Sequence, residues 1–356
     1  MLPKPNAELR LAKVANIIAP MSDQTTSNLP TASLSLDLDN KWSYLKTHGD
    51  PDWESFPTYF DLVIPRFLDF FRERDDLKIT VFVVGQDAAL SKNRDSLRSI
   101  ADAGHEIGNH SFNHEPWLHL YTPAELEQEF EKSESAIRSA TGAKTVGFRG
   151  PGFSLSDEVL RTLVRRGYKY DCSTFPTFLG PLARAYYFFT AKLTSQQKEE
   201  RKSLFGSWKD GFQSNQPFQW NSGSERLTEI PVTTMPFFKV PIHTSYVLYL
   251  AGYSRTIAKM YFWSALQMCR LAGVQPSILL HPLDFMGAED DGDLAFFPAM
   301  NQPAQKKIDL MSDCMAMLTK YFNVVTMEQH ADAIDGTLSK RRCVSTATIG
   351  ATGEPA

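Results

Sequence analysis

The sequence predicts an α/β fold in which helices surround a parallel sheet or a barrel. Two observations carry this prediction: short apolar or alternating runs recur along the chain, and amphipathic segments separate most of them. No internal repeat is visible. With 356 residues, 42% of them hydrophobic, the chain can bury a substantial core. A barrel of about 200–250 residues commonly forms one domain.

Seven runs have the length and composition of strands. They cover residues 32–38, 78–84, 145–149, 168–171, 227–232, 277–281 and 323–327. Four amphipathic segments have the length of helices, and they cover residues 57–75, 122–142, 255–273 and 304–322. The second is the clearest, because Thr122 and Glu125 match a capping box and Gly142 can end the helix. In the first, Pro65 is expected to cause a kink.

The chain divides into a central domain and two flanking segments. Residues 1–30 are predicted to be an N-terminal extension, residues 31–335 the barrel domain, and the small, polar residues 336–356 a disordered tail. An insertion is predicted at about 176–226, where the alternation of strands and helices stops.

The insertion contains a stretch, GPLARAYYFFTAKL, with large apolar side chains at helical spacing. They are Leu182, Tyr186, Phe189 and Leu193. Two interpretations stay open: a helix that makes peripheral contact with a membrane, or a lid packed on the barrel.

Composition excludes several classes of protein. The net charge of -4 and the pI near 6.1 give no support to nucleic-acid binding. The first residues lack the hydrophobic core of a signal peptide, and no apolar run approaches the ~18 residues of a spanning helix. The four cysteines are too widely spaced to suggest a disulfide framework or a CxxC zinc site. We therefore expect a cytoplasmic protein.

The stretch GHEIGNHSFNHEP (104–116) holds three of the eight histidines. His110 and His114 can converge on one ion, because neutral imidazole is a common ligand of zinc and its neighbours. A catalytic zinc site usually has three protein ligands, so a carboxylate is needed. In SLSLDLDNKW, strand alternation points Asp37 and Asp39 the same way at the carboxyl end of the first strand. Two such carboxylates can divide the work of metal ligand and base.

Five segments, in order, resemble the motifs of the polysaccharide deacetylases, the NodB-homology enzymes of carbohydrate esterase family 4. They are SLDLD, HSFNH, FRGPGFS, YDCSTFP and LLHPLDF, and they span residues 35–285. The details look most like branches found in glycan and exopolysaccharide biosynthesis. The resemblance implies a distorted (β/α)7 barrel and a metal-dependent hydrolase that removes N-acetyl groups from a sugar of a polysaccharide or glycan precursor.

The resemblance also implies roles for particular residues. The metal ligands would be Asp39, His110 and His114, and the ion would be zinc, or else cobalt, nickel or manganese.

Four further residues would act on the reacting groups. Asp37 would be the catalytic base, and Arg149 would keep it ionised and oriented. His281 would be the general acid, and Asp171 would orient or tune it.

This sequence departs from the family pattern in two places. Leu38 separates the two aspartates, and Gly152 followed by Phe153 replaces the usual tyrosine after proline. Gly152 keeps the backbone N–H that helps hold the oxyanion in the family. Two other functions stay open: hydrolysis of another linear or cyclic amide, and binding of a glycan without catalysis.

Overall fold

The computed structural model describes residues 29–182, 207–222, 225–338 and 346–348. Ten strands form one sheet. They are β1 (Thr31–Leu38), β2 (Thr80–Val83), β3 (Glu106–Asn109), β4 (Gly147–Phe148), β5 (Tyr170–Asp171), β6 (Phe218–Ser222), β7 (Glu225–Glu229), β8 (Ser277–Leu280), β9 (Asn323–Val325) and β10 (Thr346–Thr348). The order β7-β5-β4-β3-β2-β1-β8 consists of seven strands with parallel pairing throughout. This curled sheet confirms the predicted distorted barrel.

The barrel is not closed by a regular ladder between β7 and β8 in the part of the chain that the structure describes. Instead, Thr233, just after β7, donates its N–H to the carbonyl of Ser277 at 3.0 Å. The N–H of Ser277 donates back to the Thr233 hydroxyl at 2.8 Å. β6 pairs antiparallel with β7, and β10 runs parallel to β6.

Helices cover the outside of the sheet. They are α1 (Lys41–His48), α2 (Phe60–Arg72), α3 (Gly85–Ala89), α4 (Arg94–Asp102), α5 (Pro123–Thr141), α6 (Asp157–Arg165), α7 (Thr244–Ala251), α8 (Arg255–Ala272), α9 (Ala304–Tyr321) and α10 (Met327–Leu338). All four predicted helices are present. The capping box of Thr122 and Glu125 is formed, and Gly142 ends α5 in the left-handed conformation. Pro65 lies within α2.

The strand predictions missed β3, which lies inside the histidine-rich stretch. Its sequence, EIGN, has little strand propensity, because glycine and asparagine are depleted in strands. Glycine is required at position 108, since a Cβ there would lie 2.4 Å from Cδ1 of Phe82 on the neighbouring strand. The predicted strand at 323–327 exists as β9, but it pairs only with the start of β1.

Helix α10 covers the amino ends of the strands. The N–H of Met327 donates to the Thr80 hydroxyl at 2.7 Å, and the N–H of Glu328 donates to Glu106 at 2.9 Å. His330, on the same helix, bonds Ser33 at 2.9 Å. One end of the barrel is therefore filled, and the carboxyl ends of the strands are left for a site.

The insertion and the tail differ in part from expectation. β6 and the start of β7 lie within or next to the predicted insertion at 176–226, so the end of that segment belongs to the sheet. In the predicted disordered tail, α10 continues to Leu338 and residues 346–348 pair with β6, because the open edge of β6 can accept another strand. Most of the predicted apolar helix, residues 183–193, lies outside the described residues. No helix among those described is long and apolar enough to cross a bilayer.

Candidate active site

Three predicted metal ligands come together at the carboxyl ends of the strands. Asp39, His110 and His114 each offer one ligand atom, and these atoms lie within 4.8 Å of one another. The Nε2 atom of His114 is 2.9 Å from Oδ1 of Asp39, and that of His110 is 3.5 Å from the same oxygen. Two imidazoles and one carboxylate are a donor set that divalent transition metals accept.

The orientation of His110 suits a ligand. Its Nδ1 lies 2.7 Å from the carbonyl oxygen of Arg149, which can only accept, so Nδ1 carries the proton and Nε2 presents its lone pair. Oδ1 of Asp39 is buried and has no hydrogen-bond partner of good geometry among the described residues. A buried oxygen without a partner is costly unless an ion or water satisfies it. The three side chains therefore fit a divalent ion.

The His114 side chain depends on a strained loop after β3. Ser111 and His114 both have positive φ, 61° and 54°, a conformation that costs a residue with a Cβ about 1–2 kcal/mol. The carboxylate of Glu129, from α5, accepts the N–H groups of Phe112 and Asn113 at 2.9 and 2.7 Å. It also accepts the Asn113 side-chain amide at 2.6 Å. Glu129 is 3% exposed, so these bonds are sheltered from water and hold the loop.

The ionisable groups within the cluster shift each other's pKa values. Burial raises the pKa of Asp39, but His114 and His110 together lower it more, so the pKa lies well below its ordinary value. Burial lowers the pKa of His110, but Asp37 and Asp39 outweigh it, so the pKa is raised. The cluster therefore attracts positive charge, whether protons or a metal ion.

Asp37 and Arg149 form a buried ion pair beside this cluster. Nη1 of Arg149 lies 2.7 Å from Oδ1 of Asp37 and 2.8 Å from the Ser35 hydroxyl, and Nε donates to the carbonyl of Cys172 at 3.1 Å. Arg149 is 0% exposed. Burial lowers the pKa of Arg149, but Asp37 raises it more, so the guanidinium stays charged. Asp37 is thereby fixed in one orientation at the end of β1.

His281 follows β8, which is the other neighbour of β1. Leu36 pairs with Leu280, and continuing this register by one residue sets Asp37 alongside His281. Neighbouring strands lie about 4.8 Å apart, so the two residues belong to one site. The Nδ1 of His281 lies 3.1 Å from the hydroxyl of Ser245, on α7.

Asp171 has other partners. It accepts the N–H and the hydroxyl of Ser173 at 3.0 and 2.7 Å, and its register partner on β7 is Glu229. Burial raises the pKa of Asp171. Burial, together with Asp171, raises the pKa of Glu229 well above its ordinary value. These directions favour a proton held by the pair, and within the described residues no hydrogen bond joins Asp171 to His281.

Gly152 adopts a conformation that explains the departure from the expected tyrosine. Its φ is 58°, and a Cβ would lie 3.1 Å from Cβ of Pro116. Phe153 follows with φ of 62°. Within the described parts of the chain, the Gly152 N–H donates to no backbone acceptor.

A cavity of about 530 Å³ lies beside His281 and Gly152, a size typical of ligand pockets. Phe153 and Phe175 stack in its wall, with ring centroids 4.6 Å apart. His243 faces His281 at a centroid distance of 5.8 Å. Burial, with smaller contributions from His281 and Arg149, holds the pKa of His243 well below its ordinary value, so this imidazole is neutral.

Sequence reasoning missed the residues that support the predicted ones. They are Glu129, Glu229, His243, Ser245 and Asp284. Two of them had a signal: Glu229 is an acidic residue in an apolar strand, and Asp284 lies inside LLHPLDF. The others carry no local pattern.

Fold and site together define an α/β barrel protein with a candidate metal centre at the carboxyl ends of its strands. Residues 55–170 match the family model of the polysaccharide deacetylases. This part of the chain is therefore similar to the polysaccharide deacetylases.

Curated relatives match over part of the chain. A peptidoglycan deacetylase of Helicobacter pylori is 32% identical over 110 residues, 31% of this chain and 36% of that protein. A Shewanella sediminis protein described as a 4-deoxy-4-formamido-L-arabinose-phosphoundecaprenol deformylase is 32% identical over 94 residues, 25% of this chain and 31% of that protein. The match spans about a third of the length of these relatives.

One solved structure resembles the whole fold. It comes from Mycobacterium smegmatis and is described as a polysaccharide deacetylase. It covers 90% of this chain and 95% of its own, with a TM-score of 0.58 and 18% sequence identity. At this identity, the likeness concerns the fold alone.

Proposed function

We propose that this chain is a metal-dependent hydrolase that removes N-acetyl groups from an N-acetylated sugar of a polysaccharide or glycan precursor. The observation that carries the proposal is the placement of an Arg149-bound Asp37 beside the Asp39, His110 and His114 cluster. A chain that only bound glycans would not need these groups. The match of residues 55–170 to the polysaccharide deacetylase family supports the same reaction class.

The ion would be held by Asp39, His110 and His114. Zinc suits this donor set, and cobalt, nickel or manganese could replace it. When bound, the ion supplies Lewis-acid activation of the attacking water and of the acyl carbonyl.

The residues of the chain divide the proton transfers. Asp37 takes the proton of the water as it attacks, while Arg149 holds the carboxylate in place. The Gly152 N–H is free to donate to the developing oxyanion, and one such donor contributes about 3–4 kcal/mol in other enzymes. His281 gives a proton to the amide nitrogen as the C–N bond breaks, because the nitrogen would otherwise have to leave as an anion. Asp171, paired with Glu229, would influence the charges of Asp37 and His281 through space and not through a hydrogen bond.

Acetate release from a panel of N-acetylated oligosaccharides tests this function. We expect release that stops with a chelator, returns when zinc or cobalt is added, and is absent in a His110→Ala, His114→Ala double variant. Release that persists in the double variant and in chelator would contradict the proposal.

A second candidate is removal of a formyl group from a lipid-linked sugar. The Shewanella sediminis relative favours it by its description. So does the surface near the cavity, where Asp210 and Gln213 line the wall and Trp208 and Phe212 are 57% and 71% exposed. Exposed aromatic residues of this kind suit a membrane interface. Peripheral membrane contact is therefore part of this candidate.

Two measurements separate the candidates. Formamido sugars in the same panel would release formate instead of acetate. Co-sedimentation with anionic vesicles should decrease in a Trp208→Glu, Phe212→Glu double variant relative to the unchanged chain. No vesicle binding, together with full activity on water-soluble sugars, would remove the lipid-linked candidate.

A further inference from the structure

Nδ1 of His281 is hydrogen-bonded to Ser245, which in turn is hydrogen-bonded to Asp284, and both side chains lie outside the assigned site. Ser245 Oγ lies 3.1 Å from Nδ1 of His281 and donates to Oδ1 of Asp284 at 2.8 Å. Since the single hydroxyl proton of Ser245 goes to the carboxylate, its oxygen must accept from the imidazole. This chain of bonds places a proton on Nδ1 of His281 and leaves Nε2 for the cavity.

Asp284 is firmly held. It is 2% exposed, and its second oxygen, Oδ2, accepts the backbone N–H of His281 at 2.9 Å and also the hydroxyl of Thr244. Donors on both of its oxygens suit a carboxylate. Behind it, the buried Lys307 donates to the carbonyl of Leu283 at 2.6 Å, which fixes the turn that carries Asp284.

We propose that Ser245 and Asp284 are positioning residues for His281: together they fix its tautomer and stabilise its imidazolium form. This inference rests on the proposed function in one respect, the use of His281 as proton donor. In the imidazolium form, Nδ1–H is bonded to Ser245 and Nε2–H faces the substrate. As the C–N bond breaks, Nε2 gives its proton to the leaving nitrogen, and neutral His281 with a proton on Nδ1 remains.

Among the ionisable groups around His281, Asp284 is the one that can provide a negative charge to its imidazolium form. His243, the other imidazole in the cavity wall, is kept neutral by burial, which lowers its pKa. Asp37 reaches the site from β1, but its carboxylate is paired with Arg149. Lys307 lies on the far side of Asp284 and bonds backbone carbonyls. Asp284 is thus the anion that is coupled to His281 through a hydrogen bond.

Nitrogen NMR of ¹⁵N-histidine-labelled, zinc-loaded protein reads the tautomer without any substrate. In the unchanged chain we expect the proton of neutral His281 on Nδ1. Ser245→Ala should move most of it to Nε2, and Ser245→Thr, which keeps the hydroxyl, should restore it. Asp284→Ala should have the same effect as Ser245→Ala, because the Ser245 hydroxyl then loses its acceptor and can donate to Nδ1 of His281. Ser254→Ala, at the start of α8, is the matched control.

Enzyme kinetics provide a second test of the positioning role. With an amide substrate, Ser245→Ala should lower kcat by about tenfold with little change in KM, less than the ~10²–10⁴-fold expected for loss of the acid itself. With an aryl acetate, whose leaving group needs no protonation, the same variant should be near normal. Ser245→Thr should recover the amide rate.

The outcomes separate this inference from the proposed function. If no amide is hydrolysed but the tautomer changes in Ser245→Ala, the proposed function fails and the positioning role stands. If amides are hydrolysed and the tautomer is the same in Ser245→Ala as in the unchanged chain, the positioning role is wrong. An unchanged chain with its neutral His281 proton on Nε2 would also overturn it.

Discussion

Glu129 provides a test of how the metal loop is held, and the perturbation is its replacement by glutamine or alanine. Its carboxylate accepts three hydrogen bonds of 2.6–2.9 Å from residues 112 and 113, between the two histidine ligands. Glutamine keeps the size and one acceptor oxygen but loses the charge. Alanine removes both oxygens and leaves two backbone N–H groups without their acceptor.

The magnitudes follow from these contacts. A hydrogen bond to a charged group contributes about 1.5–3 kcal/mol and a neutral one about 0.5–1.5 kcal/mol. For Glu129→Gln we therefore expect a loss of about 2–3 kcal/mol in the free energy of unfolding. For Glu129→Ala, two unsatisfied N–H groups at about 1–3 kcal/mol each give about 2–6 kcal/mol. Because His114 is held at positive φ by this loop, metal affinity should also fall by about 10–100-fold, as it does when outer partners of ligands are removed.

Two assays measure these effects. Denaturant unfolding in chelator gives the stability of the metal-free chain, and competition with a chelating dye gives zinc affinity. Glu131→Gln is the control, since Glu131 is exposed on the same helix. If Glu129→Gln binds zinc as tightly as the unchanged chain, the loop does not depend on this carboxylate and the reasoning is refuted.

Three further predictions concern other parts of the molecule. Asp37→Asn should keep the metal and lose about 10²–10⁴-fold in turnover, whereas Asp39→Asn should also lose metal, as measured by elemental analysis. Burial holds the pKa of His330 at about 4, against an ordinary 6.5. As the pH falls, His330 is therefore protonated in the unfolded chain before it is in the folded chain, which lowers the free energy of unfolding by about 3 kcal/mol between pH 6.5 and 4. His330→Gln should abolish this loss in denaturant titrations. Gly108→Ala should cost about 1–3 kcal/mol of unfolding free energy, because the new methyl group overlaps the Phe82 ring.

Each of these predictions has its own contrary result. Equal metal loss in both aspartate variants would mean that the two roles are shared. An unchanged slope of stability against pH in the His330 variant would assign the acid sensitivity to other groups. For Gly108, the matched control is Gly292→Ala, where nothing lies within 4 Å of the added atom; equal effects of the two would remove the steric explanation.

Sequence patterns were sufficient where the determining contacts are local. The ends of α5 follow from Thr122, Glu125 and Gly142, which act within one turn of the helix. The strand β1 was visible because leucine alternates with a polar residue along it, which is the period of a strand. His110 and His114 were found because four residues separate them. In each case, the residues that determine the feature lie within a few positions of one another in the sequence.

The residues that were missed act over long separations. Ser245 precedes the His281 that it bonds by 36 residues, and Glu129 follows the Asn113 that it holds by 16. A single serine on a helix or a single buried glutamate gives no periodic signal. β3 was missed for a different reason, because close packing against Phe82 selected a glycine that lowers strand propensity. Such contacts become visible only when the sheet order is known.

That sheet order also explains why the two aspartates are close together in the sequence while their partners are far apart. β1 lies between β2 and β8 in the parallel sheet. On the side of β2, the strands β3 and β4 bring His110 and Arg149 to the level of Asp39. On the other side, β8 brings His281 beside Asp37. Because every second residue of β1 faces inward, this strand can place the base Asp37 beside the acid His281. It places the metal ligand Asp39 beside His110 and His114. The extra residue, Leu38, is what keeps both carboxylates on the inner face, since strand side chains alternate with a period of two.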